Sequence, residues 1–414
     1  MRQKSGYVLA FLGLVVSHVA AAASPVEQGA IWDAALSAIE HAIEKDYVFP
    51  ELKAPLVRRL EEARKAHRYD TSDPAVFAQR VTEDMQAVAH DGHLYLDYDK
   101  VQYAANIAPP TSDKGVDAYH RDVAIRDNSG IEELKIFSGN LRYLKLTAFH
   151  WTPGISAEAY DDAGRFLRAG DAVIVDLREN GGGNSDAANY FAKAFIEPSK
   201  GKPIYILVDG HVASAAEAVA YGLQQEKAVT VVGSTTYGAA NNNKKIPIAP
   251  EFILSVSHNR PINPITKTNW EGTGVVPDIA VAGSKALEAA QWDALNKLMA
   301  APGVGRERQD EYRWALAGLQ AHRHPATPSR DQLKSYAGRY GPFVIRLADD
   351  GLRMSRLDRP RWEQDVLLVP MSEDGLFSVQ SFDDLRLQMH EASLDLLHGA
   401  QDARESFQRD TGQH

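Results

Sequence analysis

The 414-residue chain contains no cysteine. Disulfide frameworks, thiolate zinc sites and thiol nucleophiles are therefore excluded, and stability has to come from ordinary apolar cores. The chain also lacks any Lys/Arg-rich block, and its formal net charge is −10. A nucleic-acid partner is not expected, because a phosphate backbone is bound chiefly through clustered cations. Low-complexity tracts are absent as well. The pronounced apolar run near the start, Tyr7 to Val16, is shorter than the roughly 20 residues needed to span a bilayer, so no stable membrane anchor is expected there.

That run has a different meaning. Arg2 and Lys4 precede it, and Ala21-Ala22-Ala23 offers a small-residue cleavage site before Ser24-Pro25, which together read as a secretory signal peptide over residues 1–23. The expected location is periplasmic or secreted. The remaining length calls for two or three domains.

From Gly29 to about Ala89 the apolar residues recur at helical spacing (Ile31, Ala34, Leu36, Ile39, Ile43; Leu56, Val57, Leu60; Phe77, Val81, Met85), which predicts three helices in a helical subdomain over 24–102. Leu94 to Tyr98 alternates as a strand. An α/β core is expected over 103–303. Its centre is one unit written twice: strand Ala172 to Leu177, glycine loop and helix Ser185 to Ile196, then strand Ile204 to Val208, Ser214 loop and helix Ala215 to Gln224. Such alternation implies parallel pairing with right-handed crossovers, which brings both loops to the carboxyl edge of one sheet. Residues 304–328 read as a helix and a linker. Short alternating segments separated by Asp-Gly turns over 329–414 predict a small antiparallel β domain.

Ser214 opens a helical pattern directly after a strand and a loop. A serine there is either a helix N-cap or a nucleophile whose hydroxyl is held beside the unpaired amides of a first helical turn. Gly181-Gly182-Gly183 ends the preceding strand, and serves either as a tight turn or as backbone amides open to a ligand. No Lys-Ser/Thr pair follows it and G-x-G-x-x-G is not met, so a phosphate loop is disfavoured. An oxyanion hole fits better, with the amide of Ala215 as second donor. A serine hydroxyl needs a base. His93, after Asp91-Gly92, lies where a turn enters a strand; His211, His258 and the pair Lys244-Lys245 are the other candidates. Glu271, in Glu271-Gly272-Thr273-Gly274-Val275-Val276-Pro277-Asp278, is a carboxylate able to orient an imidazole or simply to be solvated. His90 and His93 raise the question of a metal, but the sequence completes no ligand set around them.

Taken together, Asp-Gly-His at 91–93, Asp-Leu-Arg-Glu-Asn-Gly-Gly-Gly at 176–183, Ala-Ser-Ala-Ala-Glu at 213–217, Gly-Ser-Thr-Thr-Tyr-Gly at 233–238 and Glu-Gly-Thr-Gly-Val-Val-Pro-Asp at 271–278 resemble the tail-specific (C-terminal-processing) serine peptidases. The order and spacing match from about Ile31 to Met299. The resemblance implies a crotonase-like (ClpP/crotonase) α/β core, Ser214 as acylating nucleophile, an oxyanion hole from Gly182 or Gly183 with Ala215, and no cofactor. In the processing branch a lysine follows the Thr-Phe-Gly of the later loop; here Ala239 follows Thr236-Tyr237-Gly238. His93 and Glu271 instead match the base and carboxylate of the branch resembling tricorn protease and interphotoreceptor retinoid-binding protein. The expected triad is Ser214-His93-Glu271, acting on a peptide or unfolded protein substrate. Tyr103 to Asn140 is too short for the PDZ domain of the processing branch. Two other functions use the same framework: an apolar-ligand carrier, and an esterase-type acyl hydrolase.

Overall fold

A computed structural model describes residues 25–107, 121–324, 326–359, 364–399 and 403–410. The expected signal peptide, residues 1–23, and part of the Tyr103 to Asn140 stretch lie outside the described residues. In chain order, helices α1 (Pro25–Asp46), α2 (Pro50–Lys65) and α3 (Pro74–Ala89) are followed by strand β1 (Tyr95–Tyr98) and helix α4 (Lys100–Ile107). Next come β2 (Ile131–Phe137), β3 (Leu141–Leu146), α5 (Ile155–Leu167), β4 (Ala172–Asp176), α6 (Ser185–Ser199), β5 (Ile204–Val208), α7 (Ala215–Gln225) and β6 (Thr230–Gly233). Strands β7 (Asn242–Ile248), β8 (Phe252–Asn259) and β9 (Ile279–Ala280) precede α8 (Ala286–Ala300), α9 (Arg306–Arg323) and α10 (Arg330–Tyr336).

Two compact units result. The first takes the described residues up to Ala89, Leu94–Ile107 and Lys245–Val256; the second takes His90–His93 and the described residues of 121–244 and 257–410. The helical subdomain read from the sequence thus gains a returning segment, because β1 pairs antiparallel with Phe252 to Ser255 of β8. Its three long helices each bury one stripe: Trp32, Leu36, Ile39 and Ile43 on α1, Leu56 and Leu60 on α2, Phe77, Val81 and Met85 on α3. Pro50 suits the first turn of α2, where a missing N–H costs nothing. Asp73 Oδ1 accepts the amide of Ala75 at 2.8 Å at the start of α3. Trp32 stacks on Phe77 with centroids 4.4 Å apart, and Phe252 closes the cluster 5.3 Å from Phe77.

The second unit is built on a six-stranded sheet in the order β2-β3-β4-β5-β6-β9. β2 runs antiparallel to β3, and the pairs from β3 to β9 are all parallel. Every residue of β4 and β5 is buried, which explains their unbroken apolar sequence: both faces of a central parallel strand are covered. Val173, Val175, Ile206 and Val208 pack with Phe191, Phe195 and Val219 of α6 and α7. Ile174, Tyr205 and Leu207 face the other way, against Ala290, Ala294 and Leu295 of α8. The predicted β-loop-α repeat is therefore present, and the loops after β4 and β5 leave the same edge of the sheet.

The last strands form a meander, β10 (Gly338–Tyr340), β11 (Phe343–Ala348), β12 (Gly351–Arg356), β13 (Val366–Pro370), β14 (Leu376–Val379), β15 (Phe382–Met389), β16 (Ser393–His398) and β17 (Ala403–Gln408), each antiparallel to the next. A bridge between Tyr340 and Arg409 links the two ends of the meander, so the sheet curls into a barrel. Tyr340, Phe343, Met354, Phe377, Leu387 and Leu396 fill it.

Candidate active site

The glycine loop starts from a buried anchor. Asp176, at the end of β4, accepts from the Tyr143 hydroxyl at 2.8 Å and from Arg178 at 2.5 Å, and Arg178 Nη1 continues to the carbonyl of Gly283 at 2.8 Å. Asn180, fully buried, donates to the Leu146 carbonyl at 2.9 Å and accepts the amide of Gly182 at 2.8 Å, while its own carbonyl accepts the amide of Ala213 at 3.1 Å. The glycine loop and the Ser214 turn are thereby tied together. Gly182 has φ +101°, and a Cβ there would lie 2.9 Å from Ser214 Cβ and 3.0 Å from the Ala215 amide nitrogen. Only glycine permits this approach.

Among the described residues, the amides of Gly183 and Ala215 have no hydrogen-bond acceptor. The amide of Gly182 does, in Asn180 Oδ1. Of the two glycines named as possible oxyanion donors, Gly182 is engaged in holding the loop, whereas Gly183 is an exposed residue whose N–H has no acceptor among the described residues.

Ser214 sits at the N-cap of α7 with φ 54° and ψ −121°. Its amide donates to Glu217 Oε2 at 2.9 Å. The same buried carboxylate accepts the amide of Ala239 at 2.9 Å on Oε2, and on Oε1 the Thr236 hydroxyl at 2.5 Å and the amide of Gly238 at 2.7 Å. Glu217 therefore joins the Ser214 turn to loop 236–241. The far end of that loop serves a second carboxylate: Glu271 Oε2 accepts the amides of Ala240 at 2.6 Å and Asn241 at 2.9 Å. Gly92 approaches closely too, since a Cβ on it would lie 2.7 Å from the Tyr237 ring.

His93 is 9% exposed, its amide held by Asp91 Oδ1 at 2.9 Å. One side-chain ligand atom from each of Asp91, His93 and Glu271 lies within 4.8 Å of the others. Burial is the largest influence on Glu271 and pushes its carboxyl above the ordinary carboxylate range; the Asn241 amide opposes this, Asp91 adds to it, and the Ala240 and Gly92 amides oppose it further. The same three groups are spaced as metal ligands are, so an ion and a histidine-carboxylate pair are both chemically compatible with them. The other candidate bases are placed differently. His211 is 83% exposed, beside Asp209 at 3.9 Å, and His258 is exposed. Lys245 belongs to the first unit, where it donates to the Tyr95 hydroxyl and lies 4.1 Å over that ring. A histidine-carboxylate pair not anticipated from the sequence joins His150 Nε2 to Asp127 at 2.8 Å on a half-exposed surface.

Residues 197–281 match the family model described as peptidase family S41, a segment that contains Ser214, Glu217 and Glu271. Over that segment the chain is similar to peptidase family S41. The chain is 30% identical over 128 residues to a carboxy-terminal-processing protease of Bartonella bacilliformis, an alignment covering 31% of the chain and 28% of the relative. It thus spans little more than a quarter of that relative's length. Among solved structures, a photosystem II D1 C-terminal processing protease aligns at 15% identity and TM-score 0.39, over 61% of this chain and 93% of its own. Tricorn protease aligns at 13% identity and TM-score 0.42, over 63% and 35%.

Proposed function

We propose that the protein is an exported serine peptidase of the histidine-dependent kind, with a crotonase-like core and the triad Ser214-His93-Glu271. The observation that carries this reading is loop 236–241: one end is held by the glutamate that takes the Ser214 amide, the other by the glutamate beside His93. His93 removes the proton from Ser214 Oγ as that oxygen bonds to the carbonyl carbon of a peptide. Glu271 fixes the imidazole tautomer and stabilises the imidazolium. The amides of Gly183 and Ala215 receive the oxyanion, where one donor is worth about 3 kcal/mol of barrier. His93 then passes its proton to the leaving amine as the C–N bond breaks, leaving an acyl-enzyme. Water, deprotonated by the same imidazole, releases the acid and restores the serine. Ala239 at the position after Gly238 supports histidine rather than lysine as base, because it carries no titratable group and its amide belongs to Glu217.

The test is intact-mass labelling of the mature protein by a fluorophosphonate, with and without EDTA. Labelling is expected in the wild type and in the Lys244→Ala/Lys245→Ala and His150→Ala variants, and lost in Ser214→Ala and His93→Ala. An unlabelled, folded wild type transfers the case to an apolar-ligand carrier. Loss of labelling on chelation transfers it to a metal held by Asp91, His93 and Glu271. A labelled protein that cleaves esters but no member of a peptide library is an acyl hydrolase.

A further inference from the structure

The sheet face opposite α7 carries a second feature. A cavity of about 380 Å³ opens between the end of β2, helices α8 and α9, and the barrel, walled by Phe137, Leu141, Leu287, Leu295 and Phe382, with Arg386 of β15 on its lining. Arg386 is only 7% exposed. Its guanidinium lies 3.6 Å over the Trp314 ring and donates to the Trp314 carbonyl, and no carboxylate pairs with it among the described residues. Glu288 also lines the cavity, but its carboxylate is taken by Arg323 at 2.8 Å and Lys285 at 3.6 Å. A buried cation without a counter-ion is costly; burial alone pushes this guanidinium down to about 10. Of five N–H donors in the planar fork, one has an acceptor among the described residues, and the remaining edge suits a bidentate carboxylate.

We propose that this cavity binds a small apolar monocarboxylate, its carboxylate on Arg386 and its hydrocarbon against the aromatic and aliphatic walls. Charge selects the class. The buried guanidinium has no carboxylate partner among the described residues and balances one negative charge, the exposed Lys135 on the same lining adds to the positive field, and the apolar walls take the hydrocarbon. The volume stands at the small end of ligand cavities, which run from about 300 to 1,000 Å³. The site is independent of Ser214, whose helix packs on the other face of the sheet.

Calorimetric titration of the full mature protein with octanoate, octanol and octylamine is the experiment. Octanoate is expected to bind saturably at one site, with the alcohol and amine at least tenfold weaker. Arg386→Met should weaken octanoate at least tenfold and Arg386→Lys less. Should Arg386→Met fail to fold, Gly318→Leu decides: a Cβ on Gly318 lies 3.6 Å from Arg386 Nη2, so the larger chain fills the cavity from a helix that leucine favours. It should abolish binding while the thermal transition holds. No saturable octanoate binding at millimolar concentration, equal binding of the amine, or undiminished binding by folded Arg386→Met or Gly318→Leu would overturn the proposal.

Discussion

At the scale of single residues, the candidate nucleophile is strained and the candidate orienting acid is desolvated. Ser214 holds φ 54° and ψ −121°, a backbone state that costs a non-glycine residue about 1–3 kcal/mol. Glycine pays little there and is only a few tenths of a kcal/mol poorer at an N-cap. Ser214→Gly should therefore unfold at higher denaturant than wild type, by about 1 kcal/mol, while losing fluorophosphonate labelling; Ser214→Ala should lose labelling without that gain. Equal stability of the two variants would remove strain from the account. Glu271 makes the complementary case. Its carboxyl is raised by burial, so the fold is fully supported on the acid side of the ordinary carboxylate pKa and loses that support as pH rises through the raised one. Glu271→Gln keeps an acceptor for the Ala240 and Asn241 amides and removes the buried charge. Its melting temperature at neutral pH should be no lower than wild type, converging with wild type below about pH 4, while kcat/KM on a peptide substrate falls about 10⁴-fold. A variant that loses stability and activity together would make Glu271 a structural acid.

At the scale of elements, what was legible depended on where the chain hides its polar groups. β4 and β5 are buried on both faces, so they stand out as apolar runs, and the helices after them show their stripes. β2 was not legible, because Glu132 to Ile136 are exposed and its partner β3 supplies the pairing. β7 is illegible for a similar reason: Asn-Asn-Lys-Lys-Ile-Pro-Ile has no alternation and contains a proline. In the candidate site, Ser214, His93 and Glu271 stand in sequence motifs, but motif spacing cannot report contacts between loops far apart in sequence. Ser214-x-x-Glu217 has the spacing of a capping box, the one sequence signal for Glu217; that it also binds Thr236, Gly238 and Ala239 follows only from tertiary structure. This sets an expectation for the loop as a unit. In Glu217→Gln the new NH₂ must face two of four donors that now point at a carboxylate, which should cost about 3 kcal/mol. Loop 236–241 should loosen, with faster amide exchange at Gly238 and Ala239, and Ser214 labelling should slow. Unchanged exchange at those amides would detach the loop from Glu217.

At the scale of the whole molecule, the apolar residues of the second unit fall into clusters on the two faces of the parallel sheet and another inside the barrel, with no residue in common. Unfolding as a single two-state event is not required of such a chain, and acid should separate the barrel from the rest. The lever is Asp395 of β16, 3% exposed. Its Oδ2 accepts from Arg404 and lies 2.8 Å from His390 Nε2, and its Oδ1 accepts the Ser406 hydroxyl at 2.6 Å. Burial raises its pKa, but the hydrogen bonds from Arg404, Ser406 and His390 outweigh burial and bring it to about 2. A carboxyl depressed in the folded state lends stability that is complete above the unfolded pKa, near 4, and is lost as pH falls from there through the folded value. The contribution is on the order of 2 kcal/mol at neutral pH. Scanning calorimetry should show a barrel transition that moves to lower temperature between about pH 4 and pH 2, ahead of the transition that follows the α/β core. Asp395→Asn should lower the barrel transition at pH 7 and flatten its dependence below pH 4, because asparagine cannot hold Arg404 by charge and has no proton to gain. A barrel transition in Asp395→Asn that still shifts with acid as in wild type would assign the acid sensitivity to other carboxylates of the meander, and a single transition at every pH would mean that barrel and core unfold as one body.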